Sequence, residues 1–453
     1  MHVLPLTALL LCAAADARAE PTAPPRTPET ADAVLHRGPT AWDRKLHDAL
    51  GLPVWLDLAF EQRTRFERLE EPFRPGEPDT QTLYVLRTRL RIGVDGPGPL
   101  RWLAELQDAR VQNVASRDFT TGAVDHLDVL QLFVSATARD LGGSGLRADA
   151  HVGRLTLDHG SRRVLVRSVF RNTTNAFDGV HLRIASGTGR WRVRAFATRP
   201  VAIEPGSFDD ESSSQQRFWG VAFEDERIPG LGLDGYYLGL RDRRSGRDYH
   251  TIGARGLRPP GPGRLDGELE LIGQLGERHG LDQRAFAGHA ELGYTLACSW
   301  RPRLAALVDY ASGTADPDGE ESHGFDPLFG GRRGDLMPTG LFGPFRRSNL
   351  FSPGIRLAVA PRPDLTVRVK ARYWELAHAR DAFAGTGLRD ATGRAGRRLG
   401  TDVELGVQWS PAPWLTLDAG YDHWFKGSYL DRVAGVPSRG DADYFYLSTE
   451  VRF

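Results

Sequence analysis

The chain has almost no cysteine, very little lysine and, past its first residues, no long apolar run. Of 453 residues only Cys12 and Cys298 are cysteine. Only Lys45, Lys370 and Lys426 are lysine, so 55 of the 58 basic side chains are arginine. Without a stretch of about 18 apolar residues beyond the N-terminus, a multi-span helical membrane protein is excluded. Acidic residues also number 58, and this balance argues against a nucleic-acid binder, whose footprint is a basic excess. The arginine bias has a plain compositional source in a GC-rich genome. It also supplies rigid, permanently charged forks that suit carboxylate and phosphate.

Residues 3–15 are nearly all apolar, and Ala17-Arg18-Ala19 follows as a small-residue cleavage pattern, so residues 1–19 read as a secretory signal peptide. Leu11 before Cys12 does not suit a lipoprotein box. Removal of the leader takes Cys12 with it, so the exported chain is expected to fold without an intramolecular disulfide. Residues 20–53 are expected to be a periplasmic segment, disordered over its Pro-, Thr- and Ala-rich first half, with one short helix over 41–50.

From Val54 onward the period is two. Tyr84, Leu86, Thr88, Leu90 and Ile92 alternate with Val85, Arg87, Arg89, Arg91 and Gly93. Leu365, Val367, Val369, Ala371 and Tyr373 oppose Arg368, Lys370 and Arg372, and the last segment sets Phe445, Leu447, Thr449, Val451 and Phe453 against Tyr444, Tyr446, Ser448, Glu450 and Arg452. Such alternation predicts half-buried strands. Eighteen segments show it, near 54–68, 82–94, 100–112, 126–138, 146–156, 162–186 (broken near Asn172–Asn175), 190–200, 217–225, 233–242, 249–257, 264–273, 285–298, 303–313, 352–360, 364–375, 399–409, 414–425 and 443–453.

Connections after even-numbered segments are short and rich in turn formers, such as Asp95-Gly96-Pro97-Gly98 and Ser410–Pro413. After most odd-numbered ones they are long and polar: 69–81, 113–125, 201–216, 314–351, 376–398 and 426–442. This parity predicts an all-β fold over 54–453: a transmembrane antiparallel β-barrel of about 18 strands, with short periplasmic turns and long extracellular loops, in the outer membrane of a Gram-negative bacterium. A soluble sandwich would share the alternation but not the export signal, the unbroken run of strands or the terminal Phe453, which is the kind of ending that barrel-assembly machinery reads. The other expected partners are outer-membrane lipid and lipopolysaccharide.

Lipid satisfies no backbone polar group, so the sheet must close and turn its apolar face outward. An arginine facing lipid near the midplane costs about 2–4 kcal/mol, which sends Arg87, Arg89 and Arg91 inward. The same reasoning sends in Arg63, Arg65, Arg154, Arg183, Arg190, Arg192, Arg194, Arg368, Lys370 and Arg372, with Asp402, Glu404 and other acids concentrated on later strands. Such a wall predicts a wet, anion-selecting lumen; the alternative is cross-strand ion pairs that brace the barrel. Trp55, Trp102, Trp191, Trp219, Trp409, Trp414 and Trp424 lie near strand ends, as an interfacial girdle requires, although Trp55 and Trp424 are out of phase with the apolar face.

Four motif groups, in order, resemble the alginate export family of outer-membrane proteins. They are Glu61-Gln62-Arg63-Thr64-Arg65-Phe66; His151-Val152-Gly153-Arg154 with Gly160-Ser161-Arg162 and Ala176-Phe177-Asp178-Gly179; His323–Gly330 with Ser348-Asn349-Leu350; and Leu399–Leu405 with Gly420-Tyr421 and Phe425–Leu430. Leu155 and Thr156 stand where the family has an acidic or amide pair. The resemblance implies an eighteen-stranded barrel that passes an acidic polysaccharide outward through an arginine-rich constriction. It also implies that Arg63, Arg65, Arg154, Arg162 and Asp178 match pore motifs and that Asp402 and Glu404 are lumenal acids. The turn Ser410–Pro413 is too short for a periplasmic plug, so any gate falls to loop 314–351, which carries Arg332-Arg333 and Arg346-Arg347.

No histidine spacing makes a metal site. Asp316–Glu321 is acidic but lacks the ordered ligand ladder of a calcium loop, and no nucleophile motif is present. The expectation is a channel without cofactor, metal or catalytic residue, passing anionic solutes of the alginate-like polyuronate class. Its rival is a structural or adhesive barrel whose loops block the lumen.

Overall fold

The computed structural model describes residues 50–113 and 122–453; the leader and the helix expected over 41–50 fall almost wholly outside the described residues. Eighteen long strands follow one another: β1 (Leu56–Glu70), β2 (Thr80–Asp95), β3 (Leu100–Asn113), β4 (Asp125–Ala138), β5 (Leu146–Leu155), β6 (Phe177–Ser186), β7 (Trp191–Ala202), β8 (Gln216–Asp225) and β9 (Gly232–Asp242), then β10 (Arg247–Arg258), β11 (Arg264–Arg278), β12 (Leu281–Thr295), β13 (Arg303–Ala311), β14 (Leu350–Arg362), β15 (Leu365–Glu375), β16 (Arg398–Ala412), β17 (Leu415–Lys426) and β18 (Ala442–Arg452). Two strand fragments, Glu211–Ser212 and Glu321–Ser322, and one short helix, α1 (Ser428–Arg432), sit in the loops.

Each long strand pairs antiparallel with the next, and β18 returns to β1, with Thr64 opposite Thr449 and Phe66 opposite Leu447. The Phe60 N–H donates to the Phe453 carbonyl at 2.8 Å, and the Phe453 N–H to that of Phe60 at 2.9 Å. Closure gives every strand two neighbours, which is what a bilayer demands of a sheet.

The two faces differ as the alternation requires. On β11, Leu269 and Leu271 are 52% and 49% exposed while Glu270 between them is 1% exposed. The outward set continues with Val180, Leu182, Val221, Phe223, Leu292, Leu304, Leu405 and Leu447. Connections 96–99, 187–190, 363–364 and 413–414 are tight, whereas 71–79, 156–176, 203–215, 312–349, 376–397 and 427–441 are long. On the long side, 243–246 and 279–280 are exceptions.

The structure corrects one segment. Strand is found only over Phe177–Ser186 of the expected 162–186; residues 156–176 form a loop that enters the barrel. Arg162 and Arg163 are adjacent, so a membrane strand would point one of them at lipid, at about 2–4 kcal/mol. Inside the lumen both find carboxylates.

A second loop, 312–349, folds in to meet the first. The Val166 N–H donates to the Phe329 carbonyl at 3.1 Å, Phe329 to Val164 at 3.1 Å and Gly331 to Arg162 at 2.8 Å. Together the loops carry an apolar core into the cylinder. Phe345 stacks on Trp374 at 3.8 Å, and Leu336, Met337, Phe342 and Phe73 are buried with Trp424 and Tyr444. Trp424 is thus an interior residue and not part of a lipid girdle. The lumen is correspondingly less open than the sequence suggests.

Candidate functional site

Most wall arginines are engaged, either with acids or with the inserted loops. Arg63, on β1, is buried without a carboxylate in bridging distance among the described residues; it donates to Asn172 Oδ1 at 2.9 Å and to the Val169 carbonyl. Arg65 pairs with Glu67 at 2.7 Å and donates to the Phe170 carbonyl at 2.5 Å. Arg87 pairs with Glu61 at 2.6 Å and reaches the Val169 carbonyl at 3.1 Å. Arg89 donates to Gln107 at 2.8 Å and Thr174 at 2.6 Å. On β15, four strands round the wall from β1, Lys370 pairs with Glu404 at 2.7 Å and also holds the Leu336 carbonyl. Arg372 holds Asp309 at 2.8 Å and the Asp335 carbonyl at 2.6 Å. Asp402 accepts from the Trp374 indole. These cations turn two loops into a plug: a carbonyl buried in the lumen needs a donor, and the wall supplies charged ones.

The remaining candidates form ion pairs away from the plug's centre. Arg154 pairs with Asp178 at 2.9 Å, Arg162 with Asp158 at 2.9 Å, Arg183 with Asp149 at 3.1 Å and Arg194 with Glu224 at 3.2 Å. Arg192 also grips Glu224 and reaches Glu226 at 3.1 Å. Arg91 and Arg368 are half-exposed and have no hydrogen bond or ion pair among the described residues.

Two groups escaped the sequence reading. The first is a latch. Arg163 grips Glu270 at 2.6 Å and Glu268 on β11, and on its other side Asp335 of loop 312–349 at 2.8 Å. Asp335 in turn holds Arg347 at 3.0 Å. His289 and Asp309 lie beside it, 3.0 Å apart, close enough with Asp335 for a metal in principle, but Arg163, Arg347 and Arg372 already neutralise the acids there. Burial raises the Asp335 carboxyl and the arginines lower it; the arginines win, and it is held well below the usual carboxylate range.

The second group lies on three loops. Arg332 donates to the Gly343 carbonyl at 2.9 Å, and Arg74 reaches the same carbonyl at 3.2 Å. Besides burial, the strongest influences on Arg332 are four arginines, Arg346, Arg74, Arg171 and Arg347, and together they pull it down to about 9. Arg74, Arg171, Arg332 and Arg346 are all half-exposed. Arg74 has Glu77 at 3.3 Å, while Arg171, Arg332 and Arg346 have no carboxylate in bridging distance among the described residues. Arg333, the next residue, turns the other way to Asp418 and over the Phe170 ring at 4.7 Å. Arg332-Arg333 and Arg346-Arg347 could be marked from sequence as loop cations. Arg74 and Arg171 could not, because only the fold brings three distant loops together.

The alginate export model matches residues 54–439, most of the chain. The chain belongs to the alginate export family. Among curated proteins, none matches it in sequence. Solved structures of the same shape include Pseudomonas aeruginosa OpdO, at TM-score 0.57 and 14% identity over 88% of this chain and 97% of that one. P. aeruginosa OccK8 (OprE) gives 0.55 and 13% over 88% and 98%. Acinetobacter baumannii OccAB4 gives 0.57 and 10% over 87% and 98%. Such likeness fixes the fold, a closed eighteen-strand outer-membrane barrel.

The alginate export motifs have a physical reading in this barrel. Arg154 and Asp178, 24 residues apart within one motif group, meet as an ion pair across β5 and β6. Gly153, next to Arg154 and opposite Gly179, has φ +136°, and a Cβ there would stand 2.3 Å from the Leu132 carbonyl. Only glycine lets β4 and β5 pack that closely.

Proposed function

We propose that this alginate export barrel is a channel for anionic solutes of the acidic-oligosaccharide class and that Arg332, Arg346, Arg171 and Arg74 select them. The observation that carries this reading is that Arg171, Arg332 and Arg346 have no carboxylate in bridging distance among the described residues: most other lumenal arginines are matched, and here like charges crowd one another. A solute carboxylate entering the cluster relieves that repulsion and accepts paired N–H donors. A polyuronate repeats its carboxylate at each sugar, so it can exchange one for the next. The wall residues expected from sequence to line the pore then serve chiefly to hold the loops that present this cluster.

Planar-bilayer reversal potentials in a salt gradient test it. The barrel should prefer chloride over potassium, and a polyuronate oligomer should block the chloride current. Arg332→Glu with Arg346→Glu should abolish the preference and weaken the block. An unchanged reversal potential in that double variant would overturn the assignment. The plug itself favours a second reading, a structural barrel whose lumen stays shut; negligible conductance from correctly folded protein would support it.

A further inference from the structure

Loop 203–215 leaves β7 on the extracellular side and leans on the start of β4. The Phe208 N–H donates to the Leu127 carbonyl at 3.2 Å. The N–H groups of Asp209 and Asp210 donate to Asp128 Oδ2 at 2.9 and 3.1 Å. An acidic residue therefore fixes a stretch of loop that is itself acidic, and three carboxylates converge. One oxygen each from Asp125, Asp128 and Asp210 lies within 4.8 Å of the other two.

The compensating charge is meagre. Arg154 Nη1 is 3.9 Å from Asp128 Oδ1, but this guanidinium is already committed to Asp178 at 2.9 Å. Asp125 supplies the independent observation. The residue is 3% exposed; Oδ2 accepts from the Gln107 amide at 3.0 Å, and Oδ1 is shut from solvent with no hydrogen-bond partner among the described residues. A buried, unpartnered carboxylate oxygen among other carboxylates needs a cation or a proton.

We propose that Asp125, Asp128 and Asp210 hold a calcium ion that staples loop 203–215 to β4. The donor set is all oxygen, which suits hard cations and not zinc or copper. Calcium accepts irregular sets of oxygen ligands at about 2.3–2.6 Å, whereas magnesium demands a near-ideal octahedron at about 2.0–2.1 Å, so carboxylates drawn from a strand and a loop suit calcium better. The acidic run Asp316–Glu321 makes the contrast: Arg380 takes Asp316 and Asp318 at 3.0 Å each, and no cation is called for.

The test is calorimetric titration of the purified, chelator-treated full-length barrel with calcium chloride, alongside thermal unfolding with and without calcium. One calcium ion per chain is expected, with a higher unfolding temperature. Asp210→Asn lies in the loop and spares the wall; it should weaken binding by at least the ~10–100-fold typical of losing a supporting group, and remove the thermal response. Asp125→Asn should do the same. Asp316→Asn with Asp318→Asn should leave both unchanged. Three results would overturn the proposal: no calcium binding by wild-type protein, equal binding by Asp210→Asn, or an unfolding temperature of the wild-type protein that calcium leaves unchanged. Should Asp125→Asn fail to fold, Asp210→Asn decides alone.

Discussion

Excision of residues 327–347, with the ends joined by a short Gly-Ser linker, should raise single-channel conductance severalfold and erase the chloride preference. Those residues carry Phe342 and Phe345 of the interior core, Arg332 and Arg346 of the cationic cluster, and Asp335 of the latch. The wall needs none of them for its ladders, which run from β13 directly to β14. Asp335→Ala is the finer version. It takes from Arg347 its nearest acid and from Arg163 one of three. Stripping one member from a buried pair costs about 3–5 kcal/mol; Asp335 is partly open to solvent, which puts this case at the low end. The expected trace is a larger, noisier current from a barrel of ordinary thermal stability, since the loss falls on the loop. Bilayer recordings of both variants check this, and conductance equal to wild type in the excised protein would show that the loop does not obstruct the pore.

The second large effect concerns the outer face. Leu271→Arg should destabilise the inserted barrel by about 2–4 kcal/mol, the cost of an arginine facing lipid near the midplane. Its neighbour behaves oppositely. Glu270→Gln should leave insertion nearly untouched and act inward, because Glu270 accepts from Tyr236 at 2.7 Å and holds Arg163. Urea titration of refolding into lipid vesicles separates the two. A negligible loss for Leu271→Arg would mean that this face does not meet lipid.

The cylinder was legible because its cause is local. Each strand must show lipid one residue in two, so Leu269, Glu270 and Leu271 announce their directions without knowledge of any partner. The plug was not legible, because its cause is distant. Val164-Leu165-Val166 is as strand-prone as many true strands, and only the adjacency of Arg162 and Arg163 betrays that no lipid-facing side exists. Asp335 sits in Gly334-Asp335-Leu336-Met337, a stretch with no motif at all; its weight comes from Arg163, 172 residues earlier in the chain. The charged wall was read correctly in direction and incompletely in purpose. Alternation places Arg65 or Arg372 inside but cannot say whether water or a loop carbonyl waits there. The same gap hid the proposed calcium cluster, since Asp125 and Asp128 lie on β4 and Asp210 on a loop, 82 residues beyond Asp128.

Glu67 on β1 receives Arg65, the Tyr444 hydroxyl at 2.9 Å from β18 and the Leu341 N–H at 2.8 Å from the inserted loop. β1 and β18 are the first and last staves of the cask, and they cannot touch until all the others stand between them. The bung is therefore pinned to the very joint that is made last. A chain caught half-assembled in the envelope has neither a seam nor a stopper, and acquires both in a single event.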